Sequence, residues 1–173
     1  LPADAPQGFG NLLRRNLFDR VPFKTVNTID STAADPEAEC RRYADLLQEY
    51  PCDIVCMGIG ENGHIAFNDP HVADFNDKKA VKVVELDETC RQQQVNDGCF
   101  AKLSEVPTHA LTLTIPTLVA PKAVFCIVPA KTKANAVKAT LRGPVTEACP
   151  ASILRRHANA ALYCDADSAA LIL

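Results

Sequence analysis

The residues best suited to chemistry are gathered in one stretch, Gly58-Ile-Gly-Glu-Asn-Gly-His-Ile-Ala-Phe-Asn-Asp-Pro70. Gly58, Gly60 and Gly63 permit positive φ and let the backbone approach a bound group closely. Asn62, His64, Asn68 and Asp69 stand among and just after them. A carboxylate that accepts from one imidazole nitrogen fixes the tautomer and leaves the other nitrogen to move a proton near neutral pH. His64 and Asp69 are therefore the expected acid/base pair, with Asn62 supporting them and Gly60 and Gly63 lining the substrate. Gly58-x-Gly60-x-x-Gly63 also satisfies the dinucleotide-binding pattern, with Glu85 about twenty residues beyond it. That pattern needs a helix to begin within the glycines, whereas Phe67-Asn68-Asp69-Pro70 is turn chemistry. No Gly-Lys-Ser/Thr follows either, so neither a nicotinamide or flavin site nor a phosphate-binding lysine loop is expected, and no cofactor is implied.

The elements around this stretch must hold it at the end of a sheet. Asp53 to Met57 is a continuous apolar run, the mark of a strand buried on both faces, and in a parallel sheet its carboxyl end is where ligands bind. Strands are also expected at Ala80–Leu86, His109–Ile115, Ala123–Val128 and Ala160–Cys164, with a short extended piece over Val21–Ile29. Pro6–Phe18 reads as a helix with Phe9, Leu12, Leu13 and Leu17 on one face. Asp35-Pro36-Glu37 is a helix start with a capping acceptor, proline at the first position and acid in the first turn, and this helix should end before Pro51. A further helix is expected from Lys131 to Leu141, and another starting at Asp167, where Asp165 and Asp167 resemble a cap and its first-turn acid. Strands separated by helices imply parallel crossovers. The expected fold is a single α/β domain over residues 1–173, a three-layer, doubly wound, mostly parallel sheet.

Composition narrows the function classes. The 173 residues are 47% hydrophobic and 23% charged, an ordinary globular balance. A net charge of −3 offers no basic field for a phosphate backbone or anionic lipid, so nucleic acid and membrane surface are not expected partners. The longest uncharged stretch, Val106–Pro121, is broken by three prolines and is shorter than the roughly 20 apolar residues of a spanning helix. The eight cysteines are scattered without metal-site spacing, so no metal is expected, and they read as reduced, mostly buried thiols of a cytoplasmic protein. His71 and His109 read as loop or strand-end residues, and Arg155-Arg156-His157 as a solvated face or subunit contact.

The Gly58–Pro70 run resembles the signature of glucosamine-6-phosphate deaminases, also called isomerases. The resemblance extends through Arg15-Asn16-Leu17-Phe18-Asp19, Glu39-Cys40-Arg41-Arg42-Tyr43, Val106-Pro107-Thr108-His109-Ala110-Leu111-Thr112 and Lys131-Thr132-Lys133-Ala134. It implies conversion of an amino-sugar phosphate to fructose 6-phosphate and ammonia through an enol-type intermediate, with His64 opening the sugar ring. The family supports this histidine with two acidic neighbours; here Asn62 replaces the first and Asp69 stands for the second, normally Glu. Lys133 matches the family's phosphate-binding lysine. The family's arginine before the Val-Pro segment has no counterpart in Asn96-Asp97-Gly98-Cys99-Phe100. Its glycine-rich phosphate loop and proton-transferring carboxylate fall before Leu1, so the chain is expected to be a partial copy of a larger enzyme, with one flank of its sheet exposed and, assayed alone, no more than a trace of activity. The same fold holds 6-phosphogluconolactonases, whose loop continues after Gly-His with Thr-Ala-Ser-Leu-Phe instead of Ile65-Ala66-Phe67-Asn68. Lactone hydrolysis and non-catalytic sugar-phosphate sensing are the competing readings, and a second copy of the chain, in a homo-oligomer, is a candidate partner.

Overall fold

A computed structural model describes all 173 residues, Leu1–Leu173. Five strands form two sheets: β1 (Ile54–Met57), β4 (Ala123–Val128) and β5 (Ala160–Cys164) in the order β1-β4-β5, and β2 (Val81–Glu85) paired with β3 (His109–Leu113). The first sheet is parallel throughout, with Ile54 opposite Ala123 and Val124 opposite Ala160. The second is an antiparallel ribbon with Val81 opposite Leu113. The helices are α1 (Phe9–Leu13), α2 (Pro36–Glu49), α3 (Glu88–Asn96), α4 (Ile115–Val119) and α5 (Ala134–Arg142). The fold is thus α/β around a parallel sheet, as expected, with the β2–β3 ribbon as a separate antiparallel piece.

The core lies on one face of the parallel sheet. Val124, Cys126 and Val128 of β4 each retain 1% exposure. They pack with Ile115 and Leu118 of α4, Ala136 and Val137 of α5, and Ala151, Ile153 and Leu154 of a 3-10 segment, Pro150–Arg156. Ile59 and Ile65 join the same cluster and pin the glycine-rich loop to it. The local signals explain the helices that hold this arrangement. Asp35 accepts from Ala38 N at 3.0 Å and Pro36 opens α2, while Asp87 accepts from Cys90 N at 2.6 Å and caps α3.

Several expectations are corrected. β1 is not buried on both faces: its residues alternate exposed and half-buried, and Ile54 is 57% exposed. It is an edge strand, paired only with β4, and nothing in this chain covers the side carrying Ile54 and Cys56. The same bare face leaves Ile127 of β4 at 50% and Tyr163 of β5 at 53% exposure, so the chain's helices cover one face of this sheet and not both. Pro6–Phe18 divides into α1 and a wider π-type turn over Arg14–Phe18, and its apolar face, Phe9, Leu12, Leu13 and Leu17, remains exposed. Val21–Ile29 pairs with no strand and Asp167–Leu173 forms turns, although Asp165 does accept from Ser168 N at 2.7 Å. The expected helix at Lys131 begins as a 3-10 turn, Lys131–Lys133, before α5. Helices α3 and α4 were not expected. All eight cysteines are free, but only Cys40, Cys90, Cys126 and Cys149 are buried.

Candidate active site

The glycine-rich loop leaves the carboxyl end of β1 and folds through turns, with no helix beginning among its glycines. Gly60 N donates to His64 O at 2.9 Å and Gly63 N to Gly60 O at 3.0 Å, closing the loop on itself. The His64 ring lies where a side chain on residue 60 would sit, so a Cβ there would run into Cε1, Nδ1 and Nε2 of the imidazole. Gly63 has φ +86°, and a Cβ at that position would press on Cys149 Sγ at 2.9 Å. Of the two glycines expected to line a substrate, Gly60 makes room for the imidazole and Gly63 for Cys149.

Two buried residues tie the loop down. Ile65 is fully buried in the core. Asn68, also fully buried, donates from Nδ2 to Ile65 O at 3.0 Å and to Leu113 O of β3 at 2.9 Å, linking the loop to the ribbon. Asn68 therefore serves the scaffold, while Asn62, His64 and Asp69 form the polar centre.

Hydrogen bonding fixes the histidine tautomer. Asn62 Oδ1 accepts from His64 N at 3.0 Å, and Asn62 Nδ2 donates to Asp69 Oδ1 at 3.0 Å and Asp87 Oδ2 at 3.1 Å. With two carboxylates on one side and a backbone N–H on the other, the amide can point only one way. His64 Nδ1 then faces two acceptors, Asn62 Oδ1 at 2.8 Å and Asp69 Oδ1 at 3.0 Å. The neutral ring must carry its proton on Nδ1, which leaves the Nε2 lone pair free. The His64 side chain is 12% exposed and that of Asp69 0%. Burial alone would raise the Asp69 pKa, but donation from His64 and Asn62, the nearby imidazole and the Asp87 N–H outweigh it and hold the carboxyl below its usual range.

The structure adds two residues to the expected set. Asp87 sits at the amino end of α3, bonded to Asn62, and its N–H donates to Asp69 Oδ2 at 3.3 Å. The Cys90 thiol, one turn further on, is pushed up to about 12 by burial, reinforced by Asp69 and Asp87. It is consequently protonated at neutral pH. Asp87 is not singled out by the sequence reading: its one local sign is the cap of a helix that was not expected, and its reach back to Asn62, 25 positions earlier, is a tertiary fact. Ligand atoms of His64, Asp69 and Cys90 lie within 4.8 Å of one another, as do those of Asp69, His71 and Asp87. In the first group Nδ1 and the Asp69 oxygen are engaged with each other and the sulfur keeps its proton, so the donors suit a hydrogen-bond network better than a metal.

Lys133 approaches the same centre from the end of β4. Its side chain is half-buried, it takes part in none of the chain's ion pairs, and its charge reaches Cys90, opposing the rise in the thiol pKa. The turn carrying it follows Ala130, whose φ of +85° is unusual outside glycine and whose N–H donates to Asp165 Oδ2 at 2.9 Å. A cavity of about 630 Å³ lies elsewhere, between α1, residues Asn27–Thr32 and the β2–β3 ribbon; it meets the loop only at Phe67 and contains none of the His64 network.

A family model described as glucosamine-6-phosphate isomerases/6-phosphogluconolactonase matches residues 1–163. The chain belongs to this family. It is 39% identical over 171 residues to glucosamine-6-phosphate deaminases of Bacillus thuringiensis (strain Al Hakam) and Bacillus anthracis (strain A0248), covering 99% of this chain and 63% of each relative. The chain thus spans less than two thirds of their length. Among solved structures, a monomeric glucosamine-6-phosphate deaminase superposes with a TM-score of 0.91 at 34% identity, over 99% of this chain and 70% of that one. The 6-phosphogluconolactonase of Trypanosoma brucei superposes at 0.78 with 20% identity, over 100% of this chain and 71% of that one, a likeness of fold. No helix of the chain is long and apolar enough to cross a membrane.

Proposed function

We propose that this protein is a hexosamine-phosphate isomerase/deaminase that converts glucosamine 6-phosphate to fructose 6-phosphate and ammonia. The observation carrying the proposal is the enforced Nδ1–H tautomer of His64, which presents a free Nε2 at the glycine-lined end of a parallel strand. In ring opening, Nε2 takes the proton of the anomeric hydroxyl and delivers one to the ring oxygen as the bond between that oxygen and the anomeric carbon breaks. Asp69 stabilises the imidazolium formed in between, because it already accepts from Nδ1. Lys133 and the amides opening α5 supply positive potential for the phosphate. The base that moves a proton from the amino-bearing carbon to the aldehyde carbon is assigned to no residue of these 173; we place it in the part of the relatives' length that the chain does not span.

The deaminase reading is supported over lactone hydrolysis by the 39% and 34% identities to deaminases, against 20% to the trypanosomal lactonase, and by the Ile65-Ala66-Phe67-Asn68 continuation of the loop. The test is to incubate the protein with glucosamine 6-phosphate and, separately, with 6-phosphogluconolactone. Ammonia release from the first and no acid release from the second is expected. Acid release alone would assign the lactonase reaction, and saturable binding without turnover by a protein extended to the relatives' length would assign a sensor. We also expect the 173 residues alone to show only a trace of the extended protein's rate.

A further inference from the structure

Asn62 is the hub of the site, and all four of its polar contacts are made. Its Oδ1 receives His64 N at 3.0 Å and lies 2.8 Å from His64 Nδ1. Its Nδ2 divides its two hydrogens between Asp69 and Asp87, at 3.0 and 3.1 Å. Asp69 Oδ1 is already shared with His64 Nδ1, so the second hydrogen of the amide depends on Asp87. Asp87 is itself held from two sides: Oδ1 accepts from Cys90 N at 2.6 Å, and its N–H donates to Asp69 Oδ2 at 3.3 Å.

We propose that Asp87 is a positioning residue for His64, holding the Asn62 amide in the orientation that keeps the imidazole proton on Nδ1. Without Asp87 one Asn62 hydrogen has no acceptor, and the penalty against turning the amide over falls. A turned amide would present N–H to His64 Nδ1 and set its oxygen against Asp69, leaving Asp69 Oδ1 as the one remaining acceptor at Nδ1. The Nε2–H tautomer would then be populated in competition, and in that fraction the lone pair needed for ring opening is lost. Because Asn62 is neutral, it can donate to two carboxylates at once; a carboxylate at position 62 could not donate to Asp87 at all. The pairing of Asn62 with Asp87 is therefore one unit. The catalytic consequence rests on the reading of His64 as the proton carrier, whereas the tautomer itself does not.

The test separates positioning from simple helix capping. Asp87→Ser keeps a good capping residue for α3 and removes the acceptor for Asn62; Asp87→Asn also keeps a cap but turns an N–H toward the Asn62 amide. Nitrogen-15 NMR of histidine-labelled protein, recorded where the ring is neutral and assigned with His64→Gln, should give the Nδ1–H pattern for His64 in the parent chain. Both variants should give a mixture with Nε2–H. In the active protein, kcat should fall by about tenfold with KM nearly unchanged, the mark of an interaction used in the transition state. Asp87→Ser added to Asn62→Ala should bring no further loss. A lowered melting temperature with His64 still wholly Nδ1–H, or an additive loss in the double variant, would overturn the proposal. Should the sugar phosphate prove not to be a substrate, the reading of function fails while the NMR comparison still decides the role of Asp87.

Discussion

The two faces of the parallel sheet are built from the same kind of residue and meet opposite fates. On one, Val124, Cys126 and Val128 are sealed at 1% exposure beneath α4, α5 and the Pro150–Arg156 segment, and the site loop hangs from this side through Ile59 and Ile65. On the other, Ile54, Cys56, Ile127 and Tyr163 stand exposed, with Phe125 and Tyr163 stacked at 6.5 Å between ring centroids. Strand periodicity separates the faces but assigns no value to either. What differs is a covering layer, and the His64 loop is anchored on the covered side, where close packing holds side chains in fixed positions.

The sharpest probe of the contrast is thiol chemistry. Cys56 is exposed on the bare face, whereas Cys126, between Val124 and Val128 on the covered face, is buried, with its pKa raised to about 12 by desolvation. A thiol reagent at pH 8 should label Cys56 in the native protein more than about 10³-fold faster than Cys126, whose thiolate is scarce and shielded. Comparable rates, read by mass spectrometry of the labelled peptides, would mean that the bare face is covered or that the core opens freely.

Next in size is the site itself. His64→Ala in the active protein should lower kcat by about 10²-fold or more, the usual share of a positioned acid/base group. The circular dichroism spectrum should stay unchanged, since the ring packs over a glycine instead of filling core. A fall below about threefold would reduce the loop to scaffolding.

Paired truncations test the comparison in stability. Ile65→Ala, in the sealed cluster, should cost about 2–5 kcal/mol, and Ile127→Ala, half exposed on the bare face, less than about 1 kcal/mol by denaturant unfolding. Equal costs would show that both faces are buried in solution. The smallest effect concerns pH. The Asp69 carboxyl is held below its ordinary value in the folded chain, so the unfolded chain binds more protons there and stability rises with pH. This contribution is complete above the unfolded value of about 4 and is lost as pH falls through the depressed one. The stability gap between the parent and Asp69→Asn should therefore narrow on acidification below about pH 4. A gap that stays constant would show that Asp69 takes no charge advantage from His64 and Asn62.

Much of the site was legible because its signals are local. Gly60, Asn62, Gly63, His64 and Asp69 lie within ten positions, and a histidine that must pair with a near carboxylate leaves a short-range imprint. The strands at Ala123–Val128 and Ala160–Cys164 and the start of α2 were legible for similar reasons: an apolar run of strand length, or a capping residue followed by proline, acts on its own neighbours. α3 escaped notice because Glu88-Thr-Cys-Arg-Gln-Gln-Gln-Val-Asn96 has little apolar periodicity; its capping aspartate was its only local sign. The helix expected over Pro6–Phe18 forms from Phe9 to Phe18, widening to a π-type turn after Leu13, while its apolar stripe stays exposed apart from the contact of Phe9 with Phe67.

By itself the sequence determined the elements with strong local chemistry, the loop that carries His64, and the turn chemistry that keeps a helix from beginning among its glycines. Tertiary structure alone decided which face of each strand is dry, that the antiparallel ribbon stands apart from the parallel sheet, and that Asp87 reaches Asn62 and Asp69 of a loop far from it in the chain. The reason is physical. Capping, glycine conformations and short-range pairing are settled within a turn or two of backbone, so the residues present encode them directly. Burial and the partners of a polar side chain depend on surfaces brought together by the whole fold, and apolar residues of equal hydrophobicity, such as Val128 and Ile127, carry no local mark of which will be covered.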